Sequence, residues 1–151
     1  MFLVLGSNLG NRKEYLGRAR EQIAENSSIR IIQKTIEYIS PALIFERQPD
    51  FLNQIILSET TYDPWELLNF LKQVEKLVGR RERFRYGPRE IDIDILSYEN
   101  YQIQDEYLIL PHSGLKNRPY IRYLLSEMGE TPELLSKGLT PYAKKETANT
   151  P

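Results

Sequence analysis

Cysteine is absent from the chain, which excludes a disulfide framework, a thiolate metal site and a cysteine nucleophile together. Histidine occurs once, as His112, so metal sites built from several imidazoles are excluded as well. Neither charge sign prevails: 20 lysines and arginines face 21 aspartates and glutamates, for a formal net charge of -1. A global field steering the chain toward nucleic acid or an acidic membrane is therefore missing, and any anion site has to be local. Long apolar runs are missing too, none approaching the roughly 20 residues of a membrane span. The apolar start Phe2–Leu5 is short and lacks a basic lead, so it reads as a strand rather than a signal peptide. The expectation is a cytoplasmic protein with no membrane partner.

What is present fits one domain of 151 residues, long enough to bury a core without staples. Phe2–Leu5 predicts a buried strand, and Gly6-Ser7-Asn8-Leu9-Gly10-Asn11 a turn. Tyr15, Leu16, Ala19 and Ile23 recur at helical spacing and predict a helix over about 12–26. The isoleucine- and threonine-rich stretch 29–39 reads as one strand ending before Ser40-Pro41, 40–50 as a loop, and Phe51 opens a strand to about Tyr62. Asp63-Pro64-Trp65-Glu66 combines an N-cap, a first-turn proline and a first-turn acid, and the helix it starts ends at Gly79. A basic loop over 80–89, a strand over 91–97, a hairpin partner at 101–103, a loop over 111–118 and a short helix over 120–128 follow. The order strand, helix, strand, strand, helix, strand predicts an α+β fold. Its core is a ferredoxin-like split βαβ, an antiparallel sheet with helices packed on it, with C-terminal additions. The domain is expected to span 1–132, with a loosely ordered tail over 133–151.

The chemistry concentrates in Arg85-Tyr86-Gly87-Pro88-Arg89-Glu90-Ile91-Asp92-Ile93-Asp94. On a strand, Ile91, Ile93 and Ile95 share one face and Asp92 and Asp94 the other. Taken alone, an Asp-x-Asp is most often the wet face of a half-buried sheet. Here, however, Arg80, Arg81, Arg83, Arg85 and Arg89 crowd the preceding residues without one lysine. Planar guanidinium forks suit bidentate phosphate binding, and two same-face carboxylates suit a hard divalent cation that takes one or two carboxylates plus phosphates. Elsewhere the signals are weaker. Gly6-Ser7-Asn8-Leu9-Gly10 matches neither common glycine-rich phosphate motif and reads as a structural turn. Phe51 and Asn53 share a strand face and can stack on and hydrogen-bond a flat heterocycle, although Phe51 serves equally as core.

Arg85 through Leu96, with a basic residue, Gly-Pro-Arg and then Asp-aliphatic-Asp, resembles the signature of the 6-hydroxymethyl-7,8-dihydropterin pyrophosphokinase family. Independent stretches add to the likeness: Gly6–Gly10, Gln48–Asn53, Glu75 with Gly79-Arg80, Pro111-His112 and Asn117-Arg118. The resemblance spans Leu3 to about Pro132. It implies diphosphate transfer from ATP to a pterin alcohol in folate biosynthesis, with AMP released. It further implies that Asp92 and Asp94 bind two Mg2+, with Arg80, Arg89 and Asp94 catalytic. Lys72, Glu75, Arg80, Arg83, Arg89, His112 and Arg118 would contact ATP, Arg81 remaining an alternative to Arg83 as the second loop arginine. Ser40, Pro41, Leu43, Phe51, Asn53, Tyr86 and Tyr120 would meet the pterin, Phe51 and Tyr120 as the stacking pair. Tyr86 stands where relatives often carry tryptophan. The implied partners are small molecules, ATP and the pterin, with no nucleic acid, and a monomer is expected. The alternative from another class is a ferredoxin-like nucleic-acid-binding module using the basic loop. A catalytically silent interaction domain is a third reading, which would need no aspartate pair.

Overall fold

The computed structural model describes residues 1–42 and 47–143. The elements are β1 (Phe2–Ser7), α1 (Arg12–Glu25), β2 (Ile29–Lys34), β3 (Tyr38–Ser40), β4 (Phe51–Thr60), α2 (Pro64–Val78) and β5 (Asp92–Ser97). They continue with β6 (Tyr101–Gln104), β7 (Ile109–Leu110), α3 (Pro119–Glu127), α4 (Pro132–Leu135) and β8 (Thr140–Pro141). The main sheet runs β2-β4-β1-β5, with every pairing antiparallel, and β3 lies beside β4 on the same edge as β2. This is the expected α+β, ferredoxin-like arrangement.

Both main helices begin at side-chain caps, each worth about 1 kcal/mol. Asn11 accepts a hydrogen bond from Glu14 N at 3.2 Å, and Asp63 accepts one from Glu66 N at 2.8 Å. Gly79, at φ 122°, ends α2 in a conformation that side chains resist. Leu16, Ala19 and Ile23 of α1 and Leu67, Leu71, Val74 and Val78 of α2 bury one sheet face against Leu3, Leu5, Ile91, Ile93 and Ile95. The three isoleucines thus face the core as their alternation requires. The other face is covered only in part, where Ile121, Leu124 and Leu125 of α3 pack on Phe2, Val4, Ile55 and Leu96.

Several boundaries differ from expectation for reasons of pairing. The strand expected over 29–39 is two, β2 and β3, because regular pairing on β4 stops after Lys34, opposite Ile56, and resumes at Tyr38, opposite Asn53, one residue out of register. Thr35 spans the break: its N–H donates to Ile55 O, and its Oγ1 accepts from Ile55 N, both at 3.0 Å. β3 then runs through Ser40 rather than stopping before it. Likewise β1 continues through Gly6 and Ser7, which pair with Asn53 and Leu52, so the turn starts only at Asn8. The first part of the segment after Pro132 carries α4 and β8, and β8 pairs in parallel with β6. Tyr142 packs edge-on against Trp65 at 5.5 Å and Tyr101 at 5.0 Å. Residues 144–151 lie outside the described chain. Among the described residues no helix is long and apolar enough to cross a membrane.

Candidate active site

The site lies on the sheet face that α3 leaves open. Register lines up Asn53, Gly6 and Asp92 across β4, β1 and β5, and places Asp94 beside Val4 one row away. Gly6 carries no side chain there, and a Cβ on it would stand 3.2 Å from Asn53 Oδ1. A cleft of about 460 Å³ opens over this row. Of the residues anticipated for the site, Ser40, Pro41, Phe51, Asn53, Tyr86, Arg89, Asp92, Asp94, Arg118 and Tyr120 all line it. A second hollow of about 220 Å³, bounded by Leu68, Tyr107 and His112, also reaches Asp94.

The carboxylates are tied to cations. Asp92 Oδ1 accepts a hydrogen bond from Arg80 Nη1 and forms an ion pair with Arg89 Nη1, each at 3.1 Å. Glu75 Oε2 accepts from Arg80 Nη1 at 2.7 Å and from the N–H of Ile93 at 2.8 Å, locking α2 to β5. Burial raises the proton affinity of both aspartates, but Arg89, a hydrogen bond from Asp94, Arg80 and Arg118 together bring Asp92 below the ordinary carboxylate range. Asp94 goes the other way, well above its usual range, through burial and then the charge of Asp92. Glu75 is pushed up to about 7, again by burial first and Asp92 second. His112 sits 3.6 Å from Asp94 Oδ2. Burial and Arg118 lower its pKa, so the ring is neutral at pH 7. Its Nδ1 accepts from Gly114 N at 2.9 Å, which puts the proton on Nε2, facing Asp94.

The donor set fits a hard divalent ion that arrives with phosphate. Asp92 and Asp94 offer oxygen ligands on one face, and the burial and then the charge of Asp92 that raise the proton affinity of Asp94 are costs a cation would relieve. No group of three or more His, Cys, Asp or Glu placed to hold a metal occurs among the described residues. A cage made by protein alone is therefore not formed, and further ligands have to come from substrate or water.

On the pterin-facing side anticipated from sequence, Asn53 spends its Nδ2 on Ser40 Oγ at 2.7 Å and Tyr38 O at 3.2 Å. Its Oδ1 consequently faces Gly6 and the cleft. Arg83 bonds Glu90 and so lies at the rim of the loop rather than in the cleft, while Arg81 stays exposed. Lys72 is exposed on α2, one turn before Glu75, and takes part in none of the bonds that join the cluster among the described residues. Leu43 lies outside the described residues.

Two buried polar residues escaped the sequence-based selection. Asn8 is 1% exposed and bonds Arg89 and Gln48, 81 and 40 positions away. Glu90 is held by Arg83 and drops to about 2. Asparagine in a turn cluster signals only a turn, and partners that distant leave no local pattern. For Glu90 the signal was available, since an acid amid five arginines has to be paired or wasted.

The family model for 7,8-dihydro-6-hydroxymethylpterin-pyrophosphokinase matches residues 2–130. The chain belongs to that family. Three proteins named 2-amino-4-hydroxy-6-hydroxymethyldihydropteridine pyrophosphokinase agree with it. The one from Aquifex aeolicus is 44% identical over 128 residues, covering 85% of this chain and 79% of that protein. The one from Methylorubrum extorquens is 36% identical over 139 residues, covering 92% and 87%. The one from Bacillus subtilis is 32% identical over 132 residues, covering 87% and 79%. The chain is thus a pyrophosphokinase, an ATP-dependent transferase of folate biosynthesis.

Proposed function

We propose that the chain moves the terminal diphosphate of ATP onto the hydroxymethyl oxygen of 6-hydroxymethyl-7,8-dihydropterin and releases AMP. The observation that carries this reading is the meeting of two hollows at Asp94: a larger one that Phe51, Asn53 and Tyr120 help to line and a smaller one beside His112. The pterin lies between Phe51 and Tyr120, with Asn53 Oδ1 accepting from an N–H edge of the ring and Ser40, Pro41 and Tyr86 around it. The nucleotide reaches from the smaller hollow past His112, with Arg80, Arg89 and Arg118 on its phosphates. Arg83 at the loop rim and Glu75 and Lys72 on α2 stand behind them.

Asp92 and Asp94 hold two Mg2+, which supply charge neutralisation for the transferring phosphates. The hydroxymethyl oxygen attacks the β-phosphorus, and the bond from that phosphorus to the oxygen shared with the α-phosphate breaks. AMP leaves with the electron pair. The hydroxyl proton passes to a carboxylate oxygen of Asp94 or to water. Negative charge spreading over the phosphoryl oxygens is met by guanidinium groups already in place, so positioning and electrostatics carry the rate rather than a strong base.

A monomer in the cytoplasm belongs to the same proposal. The nucleic-acid alternative is disfavoured because Arg80, Arg83 and Arg89 are turned onto Glu75, Glu90 and Asp92 rather than outward. The test is AMP release from ATP and magnesium with and without 6-hydroxymethyl-7,8-dihydropterin. AMP that depends on the pterin is expected. Its absence, with salt-dependent RNA binding in its place, overturns the reading.

A further inference from the structure

We infer that Asn8 is a positioning residue for the pterin end of the site, acting as a clamp that joins three loops behind the cleft wall. Asn8 is 1% exposed and does not line the cleft. Its Oδ1 accepts from Arg89 N at 2.7 Å, and its own N–H donates to Arg89 O at 3.0 Å, so the backbone of Arg89 is gripped from both sides. Its Nδ2 donates to Gln48 Oε1 at 2.8 Å and to Pro49 O at 3.1 Å. Every polar atom of the Asn8 side chain is thereby used.

Gln48 extends the link. With its Oε1 held by Asn8, its Nε2 donates to Tyr86 O at 2.6 Å. Tyr86 sits at φ 61°, a left-handed conformation uncommon for an aromatic residue, and Gly87 follows with its N–H on Phe84 O at 3.0 Å. A Cβ on Gly87 would come within 2.8 Å of Phe84 O, so the turn is built for glycine there. The chain of bonds Asn8, Gln48, Tyr86 therefore holds the loop conformation in which Tyr86 and Gly87 line the cleft. The orientation of the Gln48 amide is the crux: Asn8 presents a donor, which forces Oε1 toward it and Nε2 toward Tyr86.

This deepens the diphosphotransferase reading and rests on it for its catalytic consequence, while its structural consequence stands alone. Arg81, Arg83 and Arg85 are trypsin sites within the clamped loop. Losing one net hydrogen bond in the clamp opens the loop by about fivefold. Asn8→Ala and Gln48→Ala should each raise tryptic cleavage of the loop in the substrate-free protein by about that factor. In turnover, Gln48→Ala should raise the KM for the pterin about fivefold and leave the KM for ATP within about twofold, whereas Asn8→Ala, which also frees the Arg89 backbone, should raise both.

Because the Asn8–Gln48 bond is common to both, the double variant should cost less than the sum of the two single variants. Gln48→Ala, at a partly exposed position, also guards against an Asn8 variant that fails to fold. Unchanged cleavage in Gln48→Ala, fully additive effects, or equal losses for ATP and pterin in Gln48→Ala would overturn the clamp. Cleavage needs no substrate, so a wild-type chain that releases no AMP would refute the catalytic reading without touching this measurement.

Discussion

Gly6→Ala puts a single methyl group on the floor of the cleft, and the structure says where its cost falls. Gly6 lies within β1 and has no left-handed φ, so alanine meets no backbone obstacle. Its Cβ would stand 3.2 Å from Asn53 Oδ1 and 3.5 Å from Phe51 Cδ1. Asn53 has little room to retreat, because its amide is fastened to Ser40 Oγ at 2.7 Å and Tyr38 O at 3.2 Å. Overpacking costs about 1–3 kcal/mol, offset by about 0.4–1 kcal/mol from a stiffer unfolded chain. The net loss of about 1 kcal/mol lowers Tm by about 3 °C.

For ligand the loss is larger, since the methyl occupies the plane a ring needs between Phe51 and Tyr120. Forfeiting a stacking contact of about 2 kcal/mol raises the pterin KM about thirtyfold. The assay is AMP release with the pterin titrated at saturating ATP, beside a thermal melt. A pterin KM within threefold of wild type in a protein that melts normally would refute the placement of the ring over Gly6.

Asp94→Asn should lower turnover at least about a hundredfold while leaving the metal-free Tm unchanged or higher, because the repulsion with Asp92 is gone; a lower Tm with near-normal AMP release would count against it. Arg89→Ala should slow turnover yet tighten Mn2+ binding in the absence of nucleotide, since Arg89 competes for Asp92 at 3.1 Å; calorimetry with Mn2+ alone reads the sign. For Glu90, the folded pKa of about 2 lies below the usual 4.5, set first by the hydrogen bond from Arg83. Its stabilising contribution is therefore complete above about pH 4.5 and lost as pH falls toward 2. Discounted for the partial exposure of Arg83, that amounts to about 1 kcal/mol. The stability gap between wild type and Glu90→Gln, from urea unfolding, should be present at pH 6, shrink below about pH 4.5 and be mostly gone by about pH 2.

Sequence by itself determined the order of elements, the core face of β5 and the pairing of two aspartates with a run of arginines. Those properties depend on near neighbours: alternation along a strand, a cap three residues from the N–H it serves, guanidinium groups within ten positions of the carboxylates. It also carried the family, through residues dense enough in one stretch to need no partner elsewhere. What tertiary structure alone decided was which of these groups point inward together. The split of 29–39 into β2 and β3, and the run of β1 through Gly6, came from register on β4, a contact between strands far apart in the chain. The assignment of Arg83 to Glu90 and of Arg80 to both Glu75 and Asp92 came from the fold of the loop back over α2. Asn8 is the plainest case. As a residue it is one more turn asparagine, and only because the fold brings positions 48 and 89 to its side chain does it join three loops.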